Sequence, residues 1–133
     1  VIQAVQKEPH ITFNAMCPII NKDDFMNPNV PKVVTRNDST LLYMSRAPIP
    51  TNKHHGFEVA NKQVCIYSFP RDVLLEVFSQ NNKTNLEKIE DIEILRFLEM
   101  GIPVKMVEVS QTSIAVDYPK DIEKVENVLR GNQ

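Results

Sequence analysis

The order of apolar and polar residues along the chain predicts alternating strands and helices. The clearest strand pattern is residues 63–69, where both alternating sets are largely apolar, which is typical of a central strand. Further strand patterns cover residues 11–17, 30–35, 41–45 and 104–109, and residues 113–116 predict a buried strand end. The turn residues at 37–39 predict that the strands on either side form a hairpin.

Apolar residues at helical spacing predict helices over residues 1–8, 70–79, 84–100 and 119–130. Thr84 and Glu87 have the spacing of a capping box, and Gly101 followed by Pro103 predicts the end of that helix. Its predicted apolar stripe consists of Leu86, Ile89, Ile92, Leu95 and Leu98. Residues 21–29 favour turns, and the prolines and polar residues of 47–60 predict a loop. This alternation predicts an α/β fold in a single domain, residues 1–133.

Composition narrows the class of protein. The formal net charge of −2 argues against a nucleic-acid partner. No apolar run approaches the roughly 20 residues of a membrane span. The first eight residues have the pattern of an amphipathic helix, not that of a signal peptide.

Two cysteines and three histidines are the candidate soft metal ligands. Cys17 and Cys65 each lie in an apolar, strand-like run, so we expect two buried, reduced thiols, which fits a cytoplasmic location. Without a CxxC motif, and with adjacent histidines at 54 and 55, a zinc site is not expected.

Asp117 is the candidate site residue that the pattern itself indicates. It follows the apolar residues 113–116 and precedes Pro119, which suits the first position of a helix. Ligands of open α/β sheets bind just outside the carboxyl ends of strands, so Asp117 is placed where a ligand carboxylate would be. A solvated turn residue or a helix N-cap explains the same pattern.

Five motifs, in order, give the chain a family resemblance. Residues 41–50 read LLYMSRAPIP, and this string closely resembles the Ser-Arg-Ala-x-Ile-Pro segment of 3-deoxy-manno-octulosonate (Kdo) cytidylyltransferases, also called CMP-Kdo synthetases. The other four motifs are NPNVPKVV at 27–34, KQVCIYSF at 62–69, LEKIE with LR between 86 and 96, and VDYPKDIE at 116–123. The resemblance covers nearly the whole chain but only the C-terminal part of the family.

The resemblance implies a fold and a reaction. The fold is the C-terminal part of a Rossmann-like nucleotide-diphospho-sugar transferase, with a mixed sheet and flanking helices. The reaction couples CTP to a 2-keto sugar acid, Kdo or a relative, giving a CMP-sugar and pyrophosphate. It requires Mg²⁺, which neutralises phosphate charge and prefers oxygen ligands. The resemblance also implies a cytoplasmic homodimer with a role in lipopolysaccharide biosynthesis.

The resemblance assigns roles to five residues, each with a plainer alternative. Asp117 matches a catalytic, metal-binding aspartate, and Arg46 matches an arginine suited to the substrate carboxylate. Tyr67 matches a pocket-lining tyrosine, Glu93 matches a glutamate that takes sugar hydroxyls, and Gln63 stands where many members have a histidine near the sugar. Without the resemblance, Arg46 is a strand-end arginine, Tyr67 a core residue and Glu93 part of a solvated helix face. Because this chain has Gln63 where many members of the family have a histidine, the resemblance leaves the identity of the sugar acid open.

The family's glycine-bearing nucleotide loop and its first metal aspartate would precede Val1. We therefore expect this chain to be the sugar-binding and dimerisation part of a cytidylyltransferase, inactive as a fragment. The alternative is a non-catalytic module, derived from the same fold, for sugar-acid binding or oligomerisation. In either case, exposed sheet edges and apolar faces predict association. We expect strands 12–17, 41–45 and 63–69 near that surface.

Overall fold

The fold is taken from a computed structural model, which describes residues 1–79, 82–110 and 119–131. Its strands are β1 (Thr12–Pro18), β2 (Lys32–Thr35), β3 (Leu41–Ser45), β4 (Asn61–Ser68) and β5 (Val104–Glu108). Its helices are α1 (Ile2–Lys7), α2 (Lys22–Met26), α3 (Arg71–Phe78), α4 (Asn85–Glu90), α5 (Leu95–Glu99) and α6 (Pro119–Gly131).

The strands form one mixed sheet in the order β3-β2-β4-β1-β5. β1 and β5 are parallel, whereas the β1–β4, β2–β4 and β2–β3 pairs are antiparallel. The predicted α/β class, the 30–45 hairpin and the central position of β4 are confirmed. The two outer strands also meet, because Thr40 bridges Lys105 and the Met106 N–H donates to the Ser39 carbonyl at 2.8 Å.

Two apolar clusters form the core. The larger joins the sheet to α3 and α5 and contains Met16, Val33, Leu41, Met44, Val77, Ile92, Ile94, Leu95, Phe97, Val104 and Met106. The smaller contains Ile19, Phe25 and Ala60, with Phe57 packed against it. Tyr67, one of the predicted site residues, packs against the larger cluster.

The prediction of one helix over 84–100 is wrong, because the chain breaks between α4 and α5. Asp91 has a φ of 51°, a left-handed conformation that ends α4. The break rotates the apolar stripe. Ile89, predicted to face the core, is 78% exposed, whereas Phe97, outside the predicted stripe, is fully buried. The capping box at Thr84 and Glu87 is confirmed, and Gly101 has the positive φ expected after the end of a helix.

Residues 21–29 contain α2 and are not turns alone. The Asp24 N–H donates to Asn21 Oδ1 at 2.8 Å, and this side-chain cap starts the helix. Phe25 is buried, with its ring centroid 4.9 Å from that of Phe57. This one apolar anchor gives the polar segment enough tertiary contact to form a short helix.

The prediction of two buried thiols is correct for Cys17 and wrong for Cys65. Both thiols are free, but Cys65 is exposed. The cause is a bulge in β4. The neighbours Asn14 and Ala15 of β1 pair with Tyr67 and Val64, so Cys65 lies in the stretch that the ladder skips.

Asp117 and the predicted strand end at 113–116 lie outside the described residues. α6 begins at Pro119, as predicted. The face predicted to be apolar is largely exposed: Ile122 is 50%, Val128 47% and Leu129 64% exposed. Among the described helices, none is long and apolar enough to cross a membrane.

Candidate functional site

A hydrogen-bonded network at the β4 bulge brings two predicted site residues together. Asn14, fully buried on β1, donates from Nδ2 to the carbonyls of Val64 and Ile66, each at 3.0 Å. Gln63 Nε2 donates to Asn14 Oδ1 at 3.1 Å and to the Tyr67 hydroxyl at 2.8 Å. The bulge makes the second contact possible, because it alters the spacing of Gln63 and Tyr67 along the strand.

Tyr67 connects this network to the core and to Glu93. Its ring stacks on Phe69 with centroids 5.6 Å apart, and Phe69 stacks on Phe97 at 5.2 Å. Burial raises the pKa of the Tyr67 phenol, and the nearby charges of Cys65 and Glu93 raise it further. The phenol therefore stays protonated at neutral pH.

Glu93 lies in the turn between α4 and α5, and it is exposed. The prediction that a helix carries it is wrong, because that helix breaks. After burial, the negative charge of Glu93 is one of the smaller causes that raise the pKa of the Tyr67 phenol. Asn14, Gln63 and Tyr67 thus form one polar cluster on the neighbouring strands β1 and β4, whereas Glu93 comes from a separate element and no hydrogen bond among the described residues joins it to that cluster.

Arg46 lies at the end of β3 and braces the break between the two helices. Its Nε donates to the Glu90 carbonyl, its Nη2 to the Asp91 carbonyl at 2.9 Å, and its Nη1 to the Pro28 carbonyl at 3.0 Å. A guanidinium carries five N–H groups, so each terminal nitrogen keeps one more donor beyond these contacts. Arg46 therefore holds the segment that leads into Glu93.

Glu90 completes this brace, and the sequence interpretation missed it. Its carboxylate accepts from the Ser45 hydroxyl at 2.6 Å and from the Arg46 backbone N–H at 2.9 Å. Burial acts to raise the pKa of Glu90, but these hydrogen bonds outweigh it and the pKa is lowered. The only indication of Glu90 in the sequence was its place in the LEKIE motif, and that motif does not predict a contact with β3.

A buried ion pair joins the two helices behind the cluster. Arg96 donates from Nε and Nη2 to the two carboxylate oxygens of Glu87, at 2.7 and 2.8 Å. Their side chains are 8% and 1% exposed, and the Arg96 guanidinium lies 4.5 Å from the centre of the Phe78 ring. Sequence reasoning placed Glu87 in a capping box but did not predict this second role.

Asp117 is the predicted metal ligand. Asp117 lies outside the described residues, so the structure does not place it relative to Gln63, Tyr67, Glu93 or Arg46. In the parts of the chain that the structure describes, no group of three His, Cys, Asp or Glu side chains is arranged to hold a metal ion.

A pocket of about 290 Å³ lies elsewhere, in the loop between β3 and β4. Its lining is Pro50, Thr51, Asn52, Gly56, Glu58 and Val59. The predicted site residues Arg46, Gln63, Tyr67 and Glu93 are not among these lining residues. Asn52 orders this loop by donating to Glu58 Oε1 at 2.7 Å and accepting from the His54 and Gly56 N–H groups.

The mixed sheet, the helices behind it and the polar cluster beside β4 define a nucleotide-diphospho-sugar transferase fold. A solved structure supports this class: that of CMP:2-keto-3-deoxy-manno-octonic acid synthetase complexed with CTP. It superposes with a TM-score of 0.84 at 30% sequence identity, over 99% of this chain and 54% of that one. A family model described as Cytidylyltransferase matches residues 1–114, and the chain belongs to that family.

Relatives of this chain include the 3-deoxy-manno-octulosonate cytidylyltransferase of Christiangramia forsetii. It is 40% identical over 113 residues, which cover 84% of this chain and 45% of the relative. The enzyme of the same description from Fusobacterium nucleatum is 36% identical over 114 residues, covering 86% of this chain and 46% of the relative. The chain thus spans about half the length of these relatives.

Proposed function

We propose that this chain is part of a cytidylyltransferase that activates a 2-keto sugar acid, Kdo or a close relative, with CTP. The products are the CMP-sugar and pyrophosphate. The observation that carries the proposal is the hydrogen-bonded cluster of Asn14, Gln63 and Tyr67 at the β4 bulge, in a chain whose relatives are described as 3-deoxy-manno-octulosonate cytidylyltransferases.

In this proposal the cluster binds the hydroxyl-rich part of the sugar acid. The Glu93 carboxylate accepts hydrogen bonds from sugar hydroxyls, and the protonated Tyr67 phenol and the Gln63 amide orient the ring. Arg46 contributes its two remaining N–H donors to the substrate carboxylate while the others keep the α4–α5 turn in place. The anomeric hydroxyl then attacks the α-phosphorus of CTP, and pyrophosphate leaves.

The metal part of the proposal rests on Asp117. A carboxylate is the oxygen donor that Mg²⁺ prefers, so the residue type fits, and a bound Mg²⁺ would neutralise charge on the phosphates. In the full-length protein we expect Asp117→Asn to remove most of the turnover while the fold is kept, because the change removes a charge but hardly alters the shape. Near-normal turnover at saturating Mg²⁺ would contradict the metal role.

The reaction can be tested by measuring pyrophosphate release from CTP and Kdo. We expect release by the full-length protein that carries this chain, and none by the 133-residue chain alone, which has no counterpart of the family's glycine-bearing loop. CTP without sugar acid is the control. Binding of Kdo by the full-length protein without pyrophosphate release would favour the non-catalytic sugar-binding alternative. No release with any 2-keto sugar acid would contradict the proposed reaction.

We also propose a homodimer in the cytoplasm. Leu42 on β3 and Ile66 at the bulge of β4 are 54% and 49% exposed, which supports an apolar contact on two of the strands expected there. The third, β1, is almost entirely buried within the chain, so its expected place at the surface is wrong. It lies between β4 and β5 and has no free edge.

The dimer predicts an interface above about 1,000 Å² in total, with two-fold symmetry. Sedimentation of the chain at tens of micromolar should therefore give twice the mass of 15.2 kDa. Leu42→Asp and Ile66→Asp should each weaken the association, whereas Ile89→Asp on exposed α4 is a control for added charge. A single species of monomer mass would contradict the proposal.

A further inference from the structure

We propose that Asn14 is a positioning residue, which orients the Gln63 side chain so that its carbonyl oxygen, Oε1, is the atom offered to the sugar acid. The inference deepens the proposed function and rests on it. Asn14 positions the Gln63 side chain. As a consequence, Gln63 acts towards the sugar as a hydrogen-bond acceptor only.

The first step is the orientation of the Asn14 amide. Its Nδ2 lies 3.0 Å from each of two backbone carbonyls, those of Val64 and Ile66. An amide nitrogen has two N–H groups, and both are used here. If the amide were turned over, its oxygen would face two acceptors in a fully buried position, which is strongly unfavourable. The carbonyl groups of the bulge therefore hold Asn14 Oδ1 towards Gln63.

The orientation of the Asn14 amide in turn determines which atom of the Gln63 amide faces it. Because Asn14 Oδ1 accepts only, the Gln63 atom at 3.1 Å must be the donor Nε2. The second N–H of Nε2 donates to the Tyr67 hydroxyl at 2.8 Å. Both donors of Gln63 are thus used within the chain, and within the described residues no donor contacts Oε1. Gln63 is only half-buried, so a ligand can reach it.

The consequence concerns which sugar groups can bind beside Gln63. Oε1 accepts a hydrogen bond from a hydroxyl group and receives nothing from an ether or keto oxygen. A histidine at this position has a single N–H in its neutral form. If that N–H contacted Asn14 Oδ1, Tyr67 would lose its donor. Gln63 therefore supplies two donors inside the chain and one acceptor outside it, which a neutral histidine does not.

The orientation can be measured by side-chain amide hydrogen exchange in the ¹⁵N-labelled 133-residue chain. Both Gln63 side-chain N–H protons should exchange at least about tenfold more slowly than those of exposed Gln6, because both are hydrogen-bonded. Asn14→Asp should reduce this protection, because a buried carboxylate facing the carbonyls of Val64 and Ile66 without an N–H would displace the bulge and, with it, the Gln63 side chain. Exchange of Gln63 as fast as that of Gln6, or protection unchanged in Asn14→Asp, would overturn the inference.

Measurements of Kdo affinity test the functional part of the inference. They also distinguish a positioning role of Asn14 from an effect on stability alone. In the full-length protein, Gln63→Met should weaken Kdo affinity about tenfold, the value of one hydrogen bond. Asn14→Asp should weaken it similarly, but should add little in the Gln63→Met background, since it acts through Gln63. Asn127→Asp on α6 makes the same chemical change at an exposed site and should leave the affinity unchanged.

The outcomes distinguish this inference from the proposed function. If the wild type does not bind Kdo, the proposed function fails, while amide exchange still decides the Asn14–Gln63 orientation. If Kdo binds but Asn14→Asp and Gln63→Met weaken it additively, Asn14 acts on stability alone and the inference is overturned. Should Asn14→Asp not fold, the Gln63→Met affinity and the wild-type exchange rates decide.

Discussion

At the scale of single residues, the structure depends on buried polar side chains that form hydrogen bonds and ion pairs with one another. The Glu87–Arg96 pair is the clearest case, because both charges are almost completely removed from water. Burial acts to raise the pKa of Glu87, but the hydrogen bonds from Arg96 and Thr84 outweigh it and lower the pKa. Such a pair contributes little net stability as a unit, yet losing one partner leaves a buried charge unpaired.

We therefore expect Arg96→Met to lower the free energy of unfolding by about 3 kcal/mol, measured by urea denaturation. Adding Glu87→Met should recover part of the loss, because no isolated charge remains. Arg130→Met is the matched control: Arg130 pairs with Glu126 at 3.0 Å on the surface of α6, and its loss should have little effect. If Arg96→Met and Arg130→Met lowered the free energy of unfolding equally, the buried pair would matter no more for stability than the surface pair, and the prediction would be contradicted.

At the scale of elements, the site depends on irregularities. The β4 bulge brings Gln63 to Tyr67, and the left-handed Asp91 separates α4 from α5 so that Glu93 lies in a turn. A second left-handed residue, Gly101, follows α5 and directs the chain into β5 with a φ of 74°. These positions set the directions of the elements around the cluster.

Gly101→Ala should destabilise the chain by about 1 kcal/mol, the cost of a left-handed conformation for an L-residue. A Cβ at this position would meet no atom within 4 Å, so the cost comes from the backbone alone. Gly131→Ala has the same open surroundings but lies in α6 without a positive φ, and should be neutral or slightly stabilising. Thermal unfolding of the two variants gives the comparison, and a neutral Gly101→Ala would contradict the backbone argument.

At the scale of the whole molecule, carboxylates tie the helices after β4 to the rest of the sheet. Glu90 connects α4 to β3, while Glu99 at the end of α5 accepts from the Leu86 N–H at the start of α4. The pKa of Glu99 is lowered, with the hydrogen bond to Thr84 as the main cause. Glu87 and Glu90 also have lowered pKa values, so this region depends on ionised carboxylates.

The stability of the chain should therefore fall in acid. A carboxylate whose folded pKa lies below its unfolded value of about 4.3 stabilises fully above that value and loses its contribution as the pH falls through the folded pKa. We expect the free energy of unfolding to be nearly constant from pH 8 to about 5.5 and to decline below roughly 4.5. Glu90→Gln should make this decline shallower. Denaturation curves with no decline down to pH 3 would contradict the role of these carboxylates.

The sequence by itself determined the features that depend on neighbours along the chain. The five strands that the structure describes, the hairpin, the capping box at Thr84 and the start of α6 at Pro119 follow from local preferences and hydrophobic period, whereas α2 and the break between α4 and α5 do not. The central place of β4 in the sheet was also predicted, from its two apolar sets of residues. Its residues are half-buried or exposed, so the prediction did not extend to burial on both faces. The motif around Arg46, together with the four other motifs in their order, indicated the family.

Only the tertiary structure decided how the predicted site residues contact one another. The contact between Gln63 and Tyr67 requires a bulge that Asn14 holds from the neighbouring strand, and Glu93 is exposed because Arg46 and Glu90 brace a break in the helix. The contacts that hold the bulge and brace the break join residues about 45 to 50 positions apart, such as Arg46 with Asp91 and Gln63 with Asn14. Local propensity and hydrophobic period do not encode such contacts, because they arise only when separate elements pack together.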